Sequence, residues 1–312
     1  MRPSFGIRIV LYQQSFEPIK EYVLAAERLG FDTVWVNDHL LPIVGTVQRP
    51  MMECWTVMSA LASITKRIRL GPLVLNNTFR HPQVVAKMAS TLDLVSNGRL
   101  ELGLGAGWYK LEHEMFGLRF GKHSERIRML EESIELLKRL WTEERTTFRG
   151  RFYRVSKAIC LPKPVQRPNP PLLIGGNSSS ILNLMAKHAD KSNFMLLPSN
   201  EFGEKVRALE QRCRRIGRDY SRITKSLFGE ATVVRSEREA EELIRQRIRE
   251  RRIPEKQRTR YSRRSIIGTP ESCAERITEY RKAGAEEFML VFPDLQEKQI
   301  KIFADSVISC LS

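Results

Sequence analysis

With 312 residues, 42% of them hydrophobic, the chain can bury its core as one large α/β domain covering residues 1–312. Lysine and arginine number 52 against 36 aspartates and glutamates, a formal charge of +16 that favours acidic partners without naming one. Five scattered cysteines with no C-x-x-C pair speak against a disulfide framework or a zinc site, and no apolar run reaches the roughly 20 residues that span a bilayer, so a reduced, cytoplasmic protein away from membranes is expected.

Phe5 to Tyr12 reads as a buried strand, and Glu17 to Leu29 as a helix with Ile19, Tyr22, Val23 and Ala26 on one face and Gly30 as its stop. A second strand, Asp32 to Asn37, ends at the pair Asp38-His39. The apolar set Met51, Trp55, Met58, Leu61 and Ala62 gives the next helix, and Ile68 to Leu75 the third strand. After the polar loop from Asn76 to Pro82 comes a helix from Val84 to Val95, closed by Asn97-Gly98.

The fourth strand carries the most unusual pattern. Leu100, Leu102 and Leu104 alternate as one buried face, while Gly103, Gly105 and Gly107 remove side chains where the strand ends and Trp108 follows. Two explanations fit these glycines: a flat or phosphorylated ligand lying against bare backbone, or packing so tight that only glycine fits. Trp108 stands where the third glycine of a dinucleotide fingerprint belongs, which excludes that motif. Ser124 is placed to cap a long helix carrying Ile127, Leu130, Ile134, Leu137 and Trp141. Between Thr146 and Pro171 the period changes to two, predicting an inserted hairpin.

Leu172 to Gly176 is the fifth strand. Gly175, Gly176, Asn177 and Ser178 then form a strand-to-helix turn whose free amides could hold a phosphate, or whose Asn177 or Ser178 could be an ordinary cap. Lys191 to Leu196 and Ser226 to Val234 are strands six and seven, a charged helix and a basic linker follow, and Glu287 to Phe292 is the eighth strand. Eight strand-helix units in series predict a (β/α)8 TIM barrel with a hairpin inserted after strand four and a basic insertion after strand seven. In such a barrel the loops following the strands share one mouth, which gathers Asp38, His39, the strand-four glycines and the 175–178 turn. His39, beside an acid and at a strand end, is the candidate proton carrier near neutral pH. His81, His113, His123 and His188 have no mutual spacing that suggests a metal, and Glu112 and Glu114 are expected in solvent.

Taken together, Gly30 to His39, Thr78 to Pro82, Gly98 to Trp108, Leu161 to Pro164 with Pro171 to Gly176, and Gly268 to Glu271 resemble, in order and spacing, the bacterial-luciferase-like superfamily of flavin and deazaflavin oxidoreductases. The resemblance implies a usually dimeric barrel with the cofactor ring at its mouth, the phosphate near Gly175 to Ser178, and a non-proline cis peptide near Leu73-Val74. It implies cofactor contacts from Asp38, Leu73, Val74, Gly105, Ala106, Gly107 and Trp108. The pair Asp38-His39 is most similar to the branch that uses the 8-hydroxy-5-deazaflavin coenzyme F-420 (F420), which implies hydride transfer between the deazaflavin C5 and a small-molecule substrate with His39 catalytic. Ile43 and Trp108 replace a Trp and a Glu that the sugar-phosphate dehydrogenases of that branch carry, which speaks against glucose 6-phosphate as substrate. The alternative is an FMN-dependent monooxygenase supplied with reduced flavin by a partner reductase. A third reading, binding of nucleic acid or an acidic surface through the arginine-rich run 245–264, is weakened by the near absence of aromatic residues there.

Overall fold

Eight parallel staves close into a ring. The computed structural model describes residues 2–311, apart from the side chain of Asp294. In chain order the elements are β1 (Ser4–Ile9), α1 (Glu17–Arg28), β2 (Thr33–Val36), α2 (Cys54–Ile64), β3 (Arg69–Pro72), β4 (Leu75–Asn76), α3 (Pro82–Val95), β5 (Leu102–Gly105), α4 (Lys110–Met115) and α5 (His123–Thr142). There follow the hairpin β6 (Thr146–Arg149) and β7 (Arg154–Ala158), then β8 (Leu172–Gly175), α6 (Ser179–His188), β9 (Lys191–Met195), α7 (Ser199–Arg215) and β10 (Thr224–Val233). The chain ends with α8 (Glu237–Glu250), α9 (Glu255–Arg264), β11 (Ile266–Gly268), α10 (Pro270–Lys282), β12 (Glu287–Val291) and α11 (Glu297–Phe303).

The strand order is β3-β2-β1-β12-β10-β9-β8-β5-β4, with β11 beside β10. The third stave is split into β3 and β4 by a cis peptide at Leu73-Val74, so the single strand expected over 68–75 is interrupted there. The ring closes because β3 bonds back to the approach to β5: Leu70 N–H donates to the Arg99 carbonyl at 3.1 Å, and Glu101 N–H to the Leu70 carbonyl at 2.9 Å. Parallel staves need crossovers, and the helices that supply them cover the outer face with a continuous apolar layer.

Alternate residues of each stave point inward, and glycine decides what fits there. Trp35 fills the barrel centre with Leu173 and Met289 as a cluster separate from the outer core. A methyl on Gly6 would strike the Thr33 hydroxyl and one on Gly71 the Glu101 carbonyl, and each would also crowd the Trp35 indole, at 3.1 and 2.8 Å, so both glycines serve close stave packing around the indole. At the closed end Lys191 lies 2.6 Å from Glu101 and 3.1 Å from Glu287. Burial pushes the Glu287 carboxyl up to about 7, with Lys191 opposing and Glu101 reinforcing the shift.

The predicted hairpin is β6–β7. Two local expectations are corrected. Ser124 lies inside α5, whose N-cap is Lys122 with no side-chain cap, because the helix starts at His123, two residues before the start a Ser124 cap would set. The basic linker is α9 followed by β11, held by tertiary contacts that local sequence does not show: Arg260 grips Glu201 with bonds of 2.7–3.2 Å, and the hydroxyl of buried Tyr261 donates to Glu230 at 2.9 Å. No helix among the described residues is long and apolar enough to cross a membrane.

Candidate functional site

The carboxyl ends of the staves surround a cavity of about 420 Å³. His39, Asp38, Leu73, Val74, Gly105, Ala106, Gly107, Trp108, Gly175, Gly176, Asn177 and Ser178 all line it, so every candidate catalytic or cofactor-binding residue arrives at one place. They are joined there by Ile43, by Asn76 from the polar loop after strand three and by His123, and also by Arg8, Arg126 and Phe228, which sequence pattern did not mark.

Val74 explains two of the glycines, Gly105 and Gly175. A methyl on Gly105 would lie 2.5 Å from Val74 Cγ2 and one on Gly175 2.8 Å from Cγ1, while one on Gly103 would collide with the Pro72 carbonyl. Val74 therefore sits on a floor of bare backbone from β5 and β8. Tight packing, against the neighbouring stave and not a helix, accounts for these glycines, and the packed Val74 in turn presents an apolar surface to the cavity. Gly107 differs: its φ is +75°, a conformation glycine adopts freely, and a side chain there would collide with the Asn76 amide.

His39 is held by an acid that was expected in solvent. Glu112, in α4, is fully buried, and its two carboxylate oxygens lie 3.2 Å from His39 Nδ1. One of them also accepts the Leu40 N–H at 3.0 Å. A carboxylate in this position accepts the Nδ1 proton, which fixes the tautomer and leaves Nε2 as the nitrogen available to a bound molecule. Trp108 crosses edge-on to the imidazole at 5.8 Å and stacks on Tyr109 at the exposed rim. Glu114 stays in solvent as expected.

Asp38 lines the cavity, but its carboxylate is engaged elsewhere. Arg80 grips both oxygens at 2.9 and 3.0 Å, and the Asn76 N–H donates to one of them at 2.8 Å. Burial pushes the Asp38 carboxyl up, and Arg80 and the Asn76 amide pull against that shift. Asp38 thus ties the end of β2 to β4 and the loop behind it. His113, the neighbour of Glu112, is likewise a brace, with Nδ1 at 2.9 Å from the Tyr109 carbonyl and Nε2 at 2.6 Å from the Thr78 hydroxyl.

At the 175–178 turn the capping explanation holds for the side chains. Ser178 accepts the Ile181 N–H at 3.3 Å as the N-cap of α6, and the Asn177 amide clasps Met195 through two backbone bonds of 3.0 Å. The other first-turn N–H groups of α6 have no helical partners, the arrangement that favours an anion at a helix start. Away from the mouth, His188 comes together with Glu131 and Glu135 between α6 and α5, a proximity its sequence spacing did not suggest. Of the arginines of 245–264, Arg247 and Arg251 pair with Glu230, Arg260 with Glu201 and Arg245 with Glu241, Arg264 donates to the Leu196 carbonyl, and Arg249, Arg252, Arg258 and Arg263 face solvent.

A family model described as luciferase-like monooxygenase matches residues 4–287 of this chain. The chain belongs to the luciferase-like family. Among curated relatives of this luciferase-like protein, an F420-dependent glucose-6-phosphate dehydrogenase from Amycolatopsis mediterranei is 37% identical over 174 residues, 55% of this chain and 50% of the relative. One of the same name from Segniliparus rotundus is 32% identical over 223 residues, 68% and 64% of the two chains. An FMNH(2)-dependent dimethylsulfone monooxygenase from Pseudomonas putida is 31% identical over 165 residues, 53% and 45%. The matches thus span from about half to just under two thirds of the length of these curated relatives. A solved F420-dependent secondary alcohol dehydrogenase superposes with a TM-score of 0.86 over 98% of both chains at 21% identity, which establishes the shared luciferase-like barrel.

Proposed function

We propose that this protein is an F420-dependent oxidoreductase that transfers a hydride between the deazaflavin C5 and a small organic substrate, with His39 giving or taking the accompanying proton. The observation that carries this reading is the His39–Glu112 pair beside a cavity with an apolar floor and an anion site at one edge. The residues present fit such a cofactor: the apolar surface of Leu73 and Val74, with Gly105, Ala106 and Gly107 in the wall beside it, suits a flat ring, and the first turn of α6 with Gly175 to Ser178 suits its phosphate. When bound, the deazaflavin supplies the hydride chemistry and no reactivity toward oxygen. Glu112 keeps the Nδ1 proton of His39 in place, so Nε2 is the atom that exchanges a proton with substrate. Trp108 shields the imidazole from water at the rim.

A second reading, reduced FMN with oxygen and a separate flavin reductase, is favoured by the similarity to the dimethylsulfone monooxygenase. Spectroscopic titration of the purified protein with F420 and with FMN, at low and moderate salt, separates the two. Micromolar or tighter binding of F420 with weak FMN binding is the expected result, and the reverse preference overturns the F420 assignment. A cytoplasmic homodimer acting on a small molecule, with no role for nucleic acid, completes the proposal. The dimer is checked by light scattering, and the last clause by a gel-shift assay with duplex DNA.

A further inference from the structure

Arg8 stands inside the barrel with no ion-pair partner among the described residues. It lies on β1 between inward-facing Gly6 and the mouth and lines the cavity; its side chain makes no hydrogen bond or ion pair among the described residues, and its guanidinium sits 5.3 Å from the centre of the Phe228 ring. Burial lowers this guanidinium to about 10, which leaves it protonated at neutral pH. Glu230 on β10, whose charge also acts on Arg8, makes its ion pairs with Arg247 and Arg251 and accepts the Tyr261 hydroxyl, so its carboxylate is already engaged. Asp38, the one carboxylate lining the cavity among the described residues, is taken by Arg80. Arg126, also in the wall, donates to the Gly107 carbonyl at 3.3 Å and not to an acid. The cavity is therefore cationic, and a half-buried cation without an anion is a costly arrangement that a ligand can relieve.

Position separates Arg8 from the other anion site. Around the ring the staves run β1, β2, β3 with β4, β5, β8, β9, β10 and β12, so β1 lies opposite β8, whose end carries the 175–178 turn. One end of the cavity suits the phosphate of a cofactor, and the opposite end, beside the β2 stave that delivers His39, holds the free cation. We propose that Arg8 anchors the second reactant, so that the substrate of this protein is a small organic anion, a carboxylate, sulfonate or phosphate, bound by Arg8 with its reacting carbon turned toward His39. This inference rests on the oxidoreductase reading given above. A guanidinium suits the role because its planar fork pairs two donors with two oxygens of such a group.

The test uses the full chain, wild type, Arg8→Met and Arg8→Lys, at constant ionic strength. Thermal unfolding is followed with propanoate, methanesulfonate and inorganic phosphate, against the neutral isosteres propanamide and dimethyl sulfone, and F420 and FMN affinities are measured in parallel. The expected result is a saturable rise in the melting temperature of the wild type with at least one of the anions and with neither neutral compound. Arg8→Met should bind that anion at least about 100-fold more weakly and Arg8→Lys about tenfold more weakly, as for loss and degradation of a desolvated ionic contact. Cofactor affinity should stay within about threefold, and Arg8→Met without ligand should melt above the wild type because an unpaired internal charge is gone. Anion responses equal in wild type and Arg8→Met, no anion response in a wild type that binds its cofactor, or selective loss of cofactor binding in Arg8→Met would each overturn the proposal. Failure of the wild type to bind either cofactor strikes instead at the oxidoreductase reading, because the anion measurement is made on the free protein.

Discussion

Gly105 offers the sharpest test of how the cavity floor is built. A methyl added there would lie 2.5 Å from Val74 Cγ2, about 1 Å short of an ordinary carbon contact. The backbone of Gly105 is not in the left-handed region, so the penalty is steric alone. Gly105→Ala should cost about 1–3 kcal/mol, the usual range for overpacking. Val74→Ala removes both offending methyl groups, so the double variant should recover most of that loss, a coupling of about 1–2 kcal/mol in a double-mutant cycle. Gly103 supplies the control. Its added methyl would strike the Pro72 carbonyl, backbone that a change at Val74 does not remove, and Gly103→Ala should stay destabilised in both backgrounds. Urea unfolding of the wild type, the three single variants and the two doubles gives these energies. Thermal melts corroborate them at about 1.5 °C per kcal/mol for a chain of 312 residues. Additivity of Gly105→Ala and Val74→Ala within about 0.5 kcal/mol, or rescue of Gly103→Ala by Val74→Ala, would refute this account.

Glu112→Gln should lower turnover about 10–100-fold while leaving cofactor affinity within about threefold, since it loosens the partner that orients His39. His39→Ala should lose about 100-fold or more, and normal turnover in that variant with a bound cofactor would remove the proton-transfer role. Arg80→Met strands the buried carboxylate of Asp38 and should destabilise by about 3–5 kcal/mol in urea, with Asp38→Asn in the same chain restoring much of it; no rescue would mean that the ion pair is not the cause. For Glu287 the folded carboxyl lies near 7, above its ordinary 4.5, so the native state binds the proton more tightly. Its contribution to stability is full below pH 4.5 and is lost as pH rises through 7, up to about 3 kcal/mol. Glu287→Gln should therefore gain on the wild type in urea unfolding between pH 5.5 and 8, and a difference that does not change with pH would contradict the shift.

Sequence periodicity alone determined the succession of the eight staves and most of the helices between them, because alternation along a strand and the 3.6-residue repeat of a helix are local properties, while α9 and β11 needed the tertiary structure. It also set His39, the strand-four glycines and the 175–178 turn at one mouth, since in a parallel barrel all strand ends face the same way. Sequence resemblance placed the cis peptide at Leu73-Val74, and the structure has it there. What the glycines are for was not legible, because a glycine looks alike whether it faces a ligand or Val74 from the adjacent stave. Glu112 was misplaced in solvent because its bond to His39 spans 73 residues and depends on how α4 folds back under the rim. Arg8 was invisible for a related reason: in the sequence it is one charge within a strand, and only closure of the ring turns it inward and leaves it without a carboxylate. Local chemistry fixed which atoms reach the mouth, and the meeting of distant staves decided which of them are already partnered and which are left to bind something else.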